Sequence, residues 1–104
     1  MKPKRSQYDL MHLLFEAMRK AKLKPNQRLV LLGLFRFMNG DGFCYLSYNA
    51  LIDETGLTRP TIAKTIKELA ELDWLSFESG NSIKSNYYQL DLKKLGLKDN
   101  SSNF

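Results

Sequence analysis

Apolar positions recur at helical spacing along four stretches of the chain and alternate with polar positions in two others. From Asp9 to Lys22, Leu10, Leu13, Leu14, Ala17, Met18 and Ala21 repeat every three or four residues, which predicts a helix. Asp9 near its start and Arg19, Lys20 and Lys22 at its end complement the helix dipole. Met11 and Phe15 lie beside that stripe, so the apolar face covers more than half the circumference, wider than one packing surface needs. Two explanations stay open. The helix is wedged into its own domain, or one side meets a second copy. A terminal helix of a small domain has few other surfaces to fill, which favours a dimer interface of Leu10, Met11, Leu14, Phe15 and Met18.

A second helix follows Pro25, a residue suited to a first helical turn. Leu29 to Leu32, Leu34, Phe35, Phe37 and Met38 make it apolar almost all round, so it is expected at the centre of the core. Gly33 weakens a helix interior and is expected where another helix approaches closely. Asn39-Gly40-Asp41-Gly42 ends the helix in turn chemistry, and Phe43-Cys44-Tyr45-Leu46 reads as a short strand.

Tyr45 to Leu75 organises the rest. Ser47 is an N-cap for a short helix carrying Ala50, Leu51 and Ile52 inward and Asp53 and Glu54 outward. Thr55-Gly56-Leu57 is the turn, with Gly56 in the left-handed position and Leu57 plugging the angle between the helices. Thr58 caps the next helix, and Pro60 falls in its first turn. Ile62, Ile66 and Leu69 form its core stripe. Away from that stripe, the first half of the helix presents Arg59, Thr61, Lys64 and Thr65 with no acid, and Glu68 and Glu71 arrive only in later turns. A recognition helix enters a groove by its amino-terminal end, so this polarity suits nucleic-acid contact. The competing reading is a solvated face with the pairs Lys64–Glu68 and Lys67–Glu71, which run in the less favourable order.

Trp74 to Glu78 and Tyr87 to Leu92 alternate as strands around a turn at Ser79 to Ser82, giving a β-hairpin with Tyr88, Leu90 and Leu92 inward. Its tip carries Asn81, Ser82, Lys84, Ser85 and Asn86, which can hydrogen-bond phosphate oxygens. The fold class is therefore α+β, mostly α: a winged helix-turn-helix with an extra N-terminal helix and a C-terminal two-stranded β-wing. Residues 1–8 form a basic arm, residues 9–97 the domain and residues 98–104 a polar tail.

Charge sharpens this picture. The 104 residues carry a formal +5 at a pI near 9.4, compatible with a polyanionic partner. Residues 1–28 hold eight Lys/Arg against two acids, residues 29–57 one against three, and residues 58–104 seven against six. The excess thus sits at the amino terminus, where the Met1 to Ser6 arm is suited to phosphates or a minor groove, or is a solvated tail. Cys44 is the only cysteine, so neither an intramolecular disulfide nor a cysteine-based zinc site is expected. His12 stands alone on a polar helix face. With no clustered His/Cys/Asp set, nucleophile motif or phosphate loop, an enzyme is the weakest class, and no cofactor is expected. No apolar run approaches the ~20 residues of a membrane helix, and a cytoplasmic protein is expected.

The stretch LSYNALIDETGLTRPTIAKTIKELAELDWL resembles winged helix-turn-helix domains, with a Ser-capped helix, a Thr-Gly-Leu turn, a Thr-initiated second helix and a Trp-Leu opening the wing. The lead-in RFMNGDGFCYLSYNAL is similar to the front domains of phage and plasmid replication initiators and to small mobile-element regulators. The likeness covers residues 25–92. It implies double-stranded DNA as partner; a homodimer, through the wide apolar face of the first helix, and a place in a larger nucleoprotein complex are expected beside it. It also implies phosphate contacts from Ser47, Tyr48 and Asn49, groove contacts from Arg59, Thr61, Lys64 and Thr65, with Thr58 and Lys67 beside them, and wing contacts from Asn81 and Lys84. Asp73 stands where such domains commonly have Gly, so the entry to the wing is expected to differ. A winged-helix interaction module without DNA binding is the competing function.

Overall fold

The computed structural model describes residues 7–78 and 86–94, with side chains from Asp9 onward. Four helices and three strands lie among them: α1 Gln7–Lys20, α2 Pro25–Phe37, β1 Phe43–Leu46, α3 Tyr48–Thr55, α4 Arg59–Glu71, β2 Leu75–Glu78 and β3 Asn86–Leu90. The chain forms two compact units, one of residues 24–91 and one that contains α1. The expected arm at Met1 to Ser6, the tip residues Asn81, Ser82, Lys84 and Ser85, and the tail from Lys98 lie outside the described residues.

In the unit that contains it, α1 starts two residues before Asp9 and ends in a left-handed residue that is not glycine. Lys22 has φ 56°; its N–H donates to the Arg19 carbonyl, and the Leu23 N–H donates to that of Met18. These two bonds satisfy carbonyls that a helix end leaves open. Leu14 and Met18 are fully buried. Of the five residues expected at a dimer interface, Phe15 is the exposed one, and Leu10 and Met11 are half-buried.

The 24–91 unit is built on α2, which packs against α3, α4 and β1. Val30, Leu31, Leu34 and Phe35 are buried, but Leu29 and Phe37 are 40% and 47% exposed, so α2 is amphipathic and not surrounded. A Cβ on Gly33 would sit 3.4 Å from Leu51 Cδ2 and 3.5 Å from Glu54 Cγ, so Gly33 does mark the approach of α3. Beside that contact, Arg36 pairs with Glu54 at 2.7 Å.

The helix ends follow their capping residues. The Ser47 hydroxyl accepts the Ala50 N–H at 3.1 Å, and Gly56, at φ 76°, donates its N–H to the Ile52 carbonyl. The Thr58 hydroxyl oxygen receives the Thr61 N–H at 3.4 Å, a long bond. Helix α4 ends as α1 does. Asp73, at φ 63°, donates to the Ala70 carbonyl, and Trp74 donates to that of Leu69. The departure from glycine at position 73 therefore leaves the left-handed conformation in place and adds Cβ strain to it.

The sheet is antiparallel with order β1-β3-β2. The second wing strand is thus central, paired Cys44↔Tyr88 on one side and Phe77↔Tyr88 on the other. This extends the expected two-stranded hairpin by β1. Asn86, Tyr88 and Leu90 face the core, where Trp74, Leu75 and Cys44 are also buried. Asn86 is corrected from the wing tip to the interior: it opens β3 and donates from Nδ2 to the Tyr88 hydroxyl at 3.1 Å. Leu92 lies beyond the strand, half-buried.

Candidate nucleic-acid interface

The exposed ridge of α4 exists because Ile62, Ile66 and Leu69, all fully buried, pin the opposite face to the core. Arg59, Lys64, Lys67 and Glu71 are exposed on it, and Thr61 is half-buried. Among the described residues neither Lys64 nor Lys67 has an ion-pair partner, so the pairs with Glu68 and Glu71 do not form. Two unpaired ammonium groups on a rigid helix are free to meet an anion.

Thr65 is corrected from this surface. It is 3% exposed, and its hydroxyl donates back to the Thr61 carbonyl at 2.7 Å, as a threonine inside a helix can. Thr58 is exposed, and its hydroxyl donates to that of Thr61 at 2.9 Å, leaving the Thr61 proton available to an outside acceptor.

One flank of the ridge belongs to the start of α3. The Tyr48 ring lies under Arg59, whose guanidinium carbon is 4.8 Å from the ring centroid. Asn49 is exposed beside it, while Ser47 is half-buried and its oxygen is engaged as the cap. Asn81 and Lys84 fall outside the described residues.

The other flank was not legible beforehand. The start of α2 lies there, and Lys24, Pro25 and Asn26 line a concavity of about 440 Å³ with Thr61, Lys64, Thr65 and Glu68. Gln27 holds it together. Only 5% exposed, it accepts the Lys24 N–H on Oε1 at 2.9 Å and donates from Nε2 to Glu68 Oε1 at 3.0 Å. The sequence signal was a glutamine at the third position after Pro25's preceding residue, the reciprocal half of a capping box. Glu68 is therefore tied to α2 rather than to Lys64.

Elsewhere in this unit, Phe43, Tyr45 and Tyr87 cluster on the outer face of the sheet, with centroids 5.3 Å and 4.7 Å from Tyr87. Tyr45 is 68% exposed. Burial pushes the Cys44 thiol up to about 11, so it is the unreactive form at neutral pH. Among the described residues no helix is long and apolar enough to cross a membrane.

Three solved structures share the fold. The S. aureus MepR–DNA complex superposes with a TM-score of 0.58 at 12% identity, covering 86% of this chain and 70% of that one. For Bordetella bronchiseptica BpsR, whose DNA binding is regulated by 6-hydroxynicotinic acid, the values are 0.54, 18%, 98% and 77%. Ligand-free NadR gives 0.51 at 14% identity, with 88% of this chain and 60% of NadR covered. None of the curated proteins is similar to the chain in sequence. These likenesses establish a winged-helix fold of four helices and a three-stranded antiparallel sheet. The family model described as "Helix-turn-helix domain" matches residues 21–75, from the end of the first helix to the opening of the wing, and by that match over more than half its length the chain belongs to the helix-turn-helix domain family.

Proposed function

We propose that this chain is a sequence-preferring double-stranded DNA-binding protein. The carrying observation is the ridge of α4, where Arg59, Lys64 and Lys67 are exposed with no carboxylate partner among the described residues, in the helix that helix-turn-helix domains place in a groove. MepR, a structural neighbour, was captured on DNA, which supports the reading. The mechanism is placement. Cations, Lys64 among them, hold phosphates, while Arg59 reaches base edges. The lead-in at residues 36–51 supports a mobile-element setting, as a transcriptional regulator or as a replication, partition or transfer accessory factor. A homodimer would use Phe15 with Leu10 and Met11, the part of the α1 face that the chain does not bury.

Titration onto specific and random duplexes at several salt concentrations tests the proposal. The expected result is binding that weakens steeply with salt and is tighter on one sequence. Absence of salt-dependent binding would overturn it. The competing reading, a protein-interaction module, is favoured by the aromatic cluster at Phe43, Tyr45 and Tyr87. It predicts partner capture without nucleic acid and indifference to Lys64→Ala.

A further inference from the structure

We infer that the start of α2 is a second phosphate-holding element, and that a backbone phosphate of double-stranded DNA sits over the concavity between Lys24 and Lys64. This rests on the proposed DNA binding and adds to it a flank that no helix-turn-helix pair supplies, since α2 precedes the pair.

Three observations carry it. The concavity is shared between two elements: Lys24, Pro25 and Asn26 come from the start of α2, and Thr61, Lys64, Thr65 and Glu68 from α4. It therefore adjoins the exposed ridge on the side away from Tyr48, which stacks under Arg59 at the opposite flank. Its cations are available. Lys24 and Lys64 are exposed, and neither side chain has an ion-pair partner among the described residues. Its one acid is engaged, because Glu68 Oε1 accepts the Gln27 amide at 3.0 Å. The result is a hollow with two unpaired ammonium groups on its rim, a carboxamide at Asn26 and a hydroxyl at Thr61. Those groups match a phosphate diester, whose oxygens accept hydrogen bonds and whose single charge is met without displacing an existing pair. The bond from Lys24 N–H to Gln27 Oε1 fixes the backbone that carries Lys24, so its position relative to α4 is set before DNA arrives.

A phosphate contact has a signature distinct from a base contact. It lowers affinity equally on all sequences and reduces the salt slope. The test uses the full chain and measures fluorescence anisotropy on a preferred and a random duplex across a salt series. It compares wild type with Lys24→Gln, Lys24→Arg, Asn26→Ala and Lys22→Gln, with thermal unfolding as a fold control. Lys24→Gln is expected to lower the log–log salt slope by about 1 and to weaken both duplexes by the same factor. Lys24→Arg is expected to restore the slope, and Asn26→Ala to weaken both duplexes equally with the slope unchanged. Lys22→Gln removes a charge two positions before Lys24 in sequence that does not line the concavity and is expected to leave the slope as in wild type. If wild type binds with salt dependence but Lys24→Gln keeps the full slope, the clamp is refuted while DNA binding stands. An equal fall for Lys22→Gln also refutes it, since the effect is then diffuse charge. If wild type itself shows no salt-dependent binding, the proposed function fails first and the clamp with it.

Discussion

The Arg59 guanidinium rests on the face of Tyr48, with its central carbon 4.8 Å from the ring centroid. Arg59 is the first residue of α4 and Tyr48 the first of α3, so one contact ties the starts of both helices of the pair. A cation–π contact at a partly exposed site is worth roughly 0.5–1 kcal/mol, less than a base contact by the same guanidinium, roughly 1–3 kcal/mol. Arg59→Ala is therefore expected to weaken binding to the preferred duplex by about 1–3 kcal/mol. Tyr48→Ala should weaken it by under about 1 kcal/mol, and Tyr48→Phe, which keeps the ring, should match wild type. Anisotropy titrations of the three variants decide this. A Tyr48→Phe loss as large as that of Tyr48→Ala would shift the role from the ring to the phenol hydroxyl.

Lys64 and Thr65 are neighbours in sequence with opposite expected behaviour. Lys64 is exposed with no ion-pair partner among the described residues, and Thr65 is buried with its hydroxyl bonded to the Thr61 carbonyl. Lys64→Ala should weaken the preferred and the random duplex by the same factor, lower the salt slope by about 1 and leave stability within about 0.5 kcal/mol. Thr65→Val keeps the shape and removes the local bond; it should leave affinity unchanged and move stability by no more than about 1 kcal/mol. Paired binding and urea-unfolding curves for each variant check the contrast.

At Gly33 the sequence signalled a close approach, and the geometry sets how close. An added methyl would meet Leu51 Cδ2 at 3.4 Å and Glu54 Cγ at 3.5 Å, contacts at the van der Waals limit with side chains that can shift. Alanine removes the excess backbone freedom of glycine in a helix, roughly 0.5–1 kcal/mol. Gly33→Ala is thus expected to raise the urea midpoint slightly. Gly33→Leu, with nowhere to place its branch, should lower stability by about 1–3 kcal/mol.

The caps show why much of this fold was readable in advance. Ser47, Thr58 and Gly56 act on backbone groups a few residues away, so their chemistry is local and visible in a short window. Ile62, Ile66 and Leu69 were visible for the same reason, since period alone selects a face. What failed was decided by partners distant in sequence. Thr65 was expected on the exposed face, yet it is 3% exposed, on the side of α4 turned towards the start of α2. Glu68 was weighed as a partner of Lys64, but its partner Gln27 stands forty-one residues earlier. Asn86 looked like part of a turn, but pairing with Leu46 of β1 draws it into the sheet.

Tyr88 makes the fold sensitive to alkali. Its ring is fully buried, and its hydroxyl accepts the Asn86 amide at 3.1 Å. Burial pushes the phenol from 10 up to about 12, with the Asn86 bond opposing part of the rise. The folded state thus keeps the proton to a higher pH than the unfolded state. Its contribution to stability is whole below pH 10 and is lost as pH rises through about 12, because the unfolded chain ionises first. Cys44, its cross-strand partner, behaves alike from 9 to about 11. The Tyr88 share is on the order of 2 kcal/mol when complete. Tyr88→Phe removes that dependence, at a fixed cost of roughly 1 kcal/mol for depriving the Asn86 amide of this acceptor. Urea midpoints between pH 8 and about 11.5 should therefore fall more steeply for wild type than for Tyr88→Phe, with the two curves converging at the alkaline end. Parallel curves would mean that Tyr88 ionises alike in both states and that its burial does not govern alkaline unfolding.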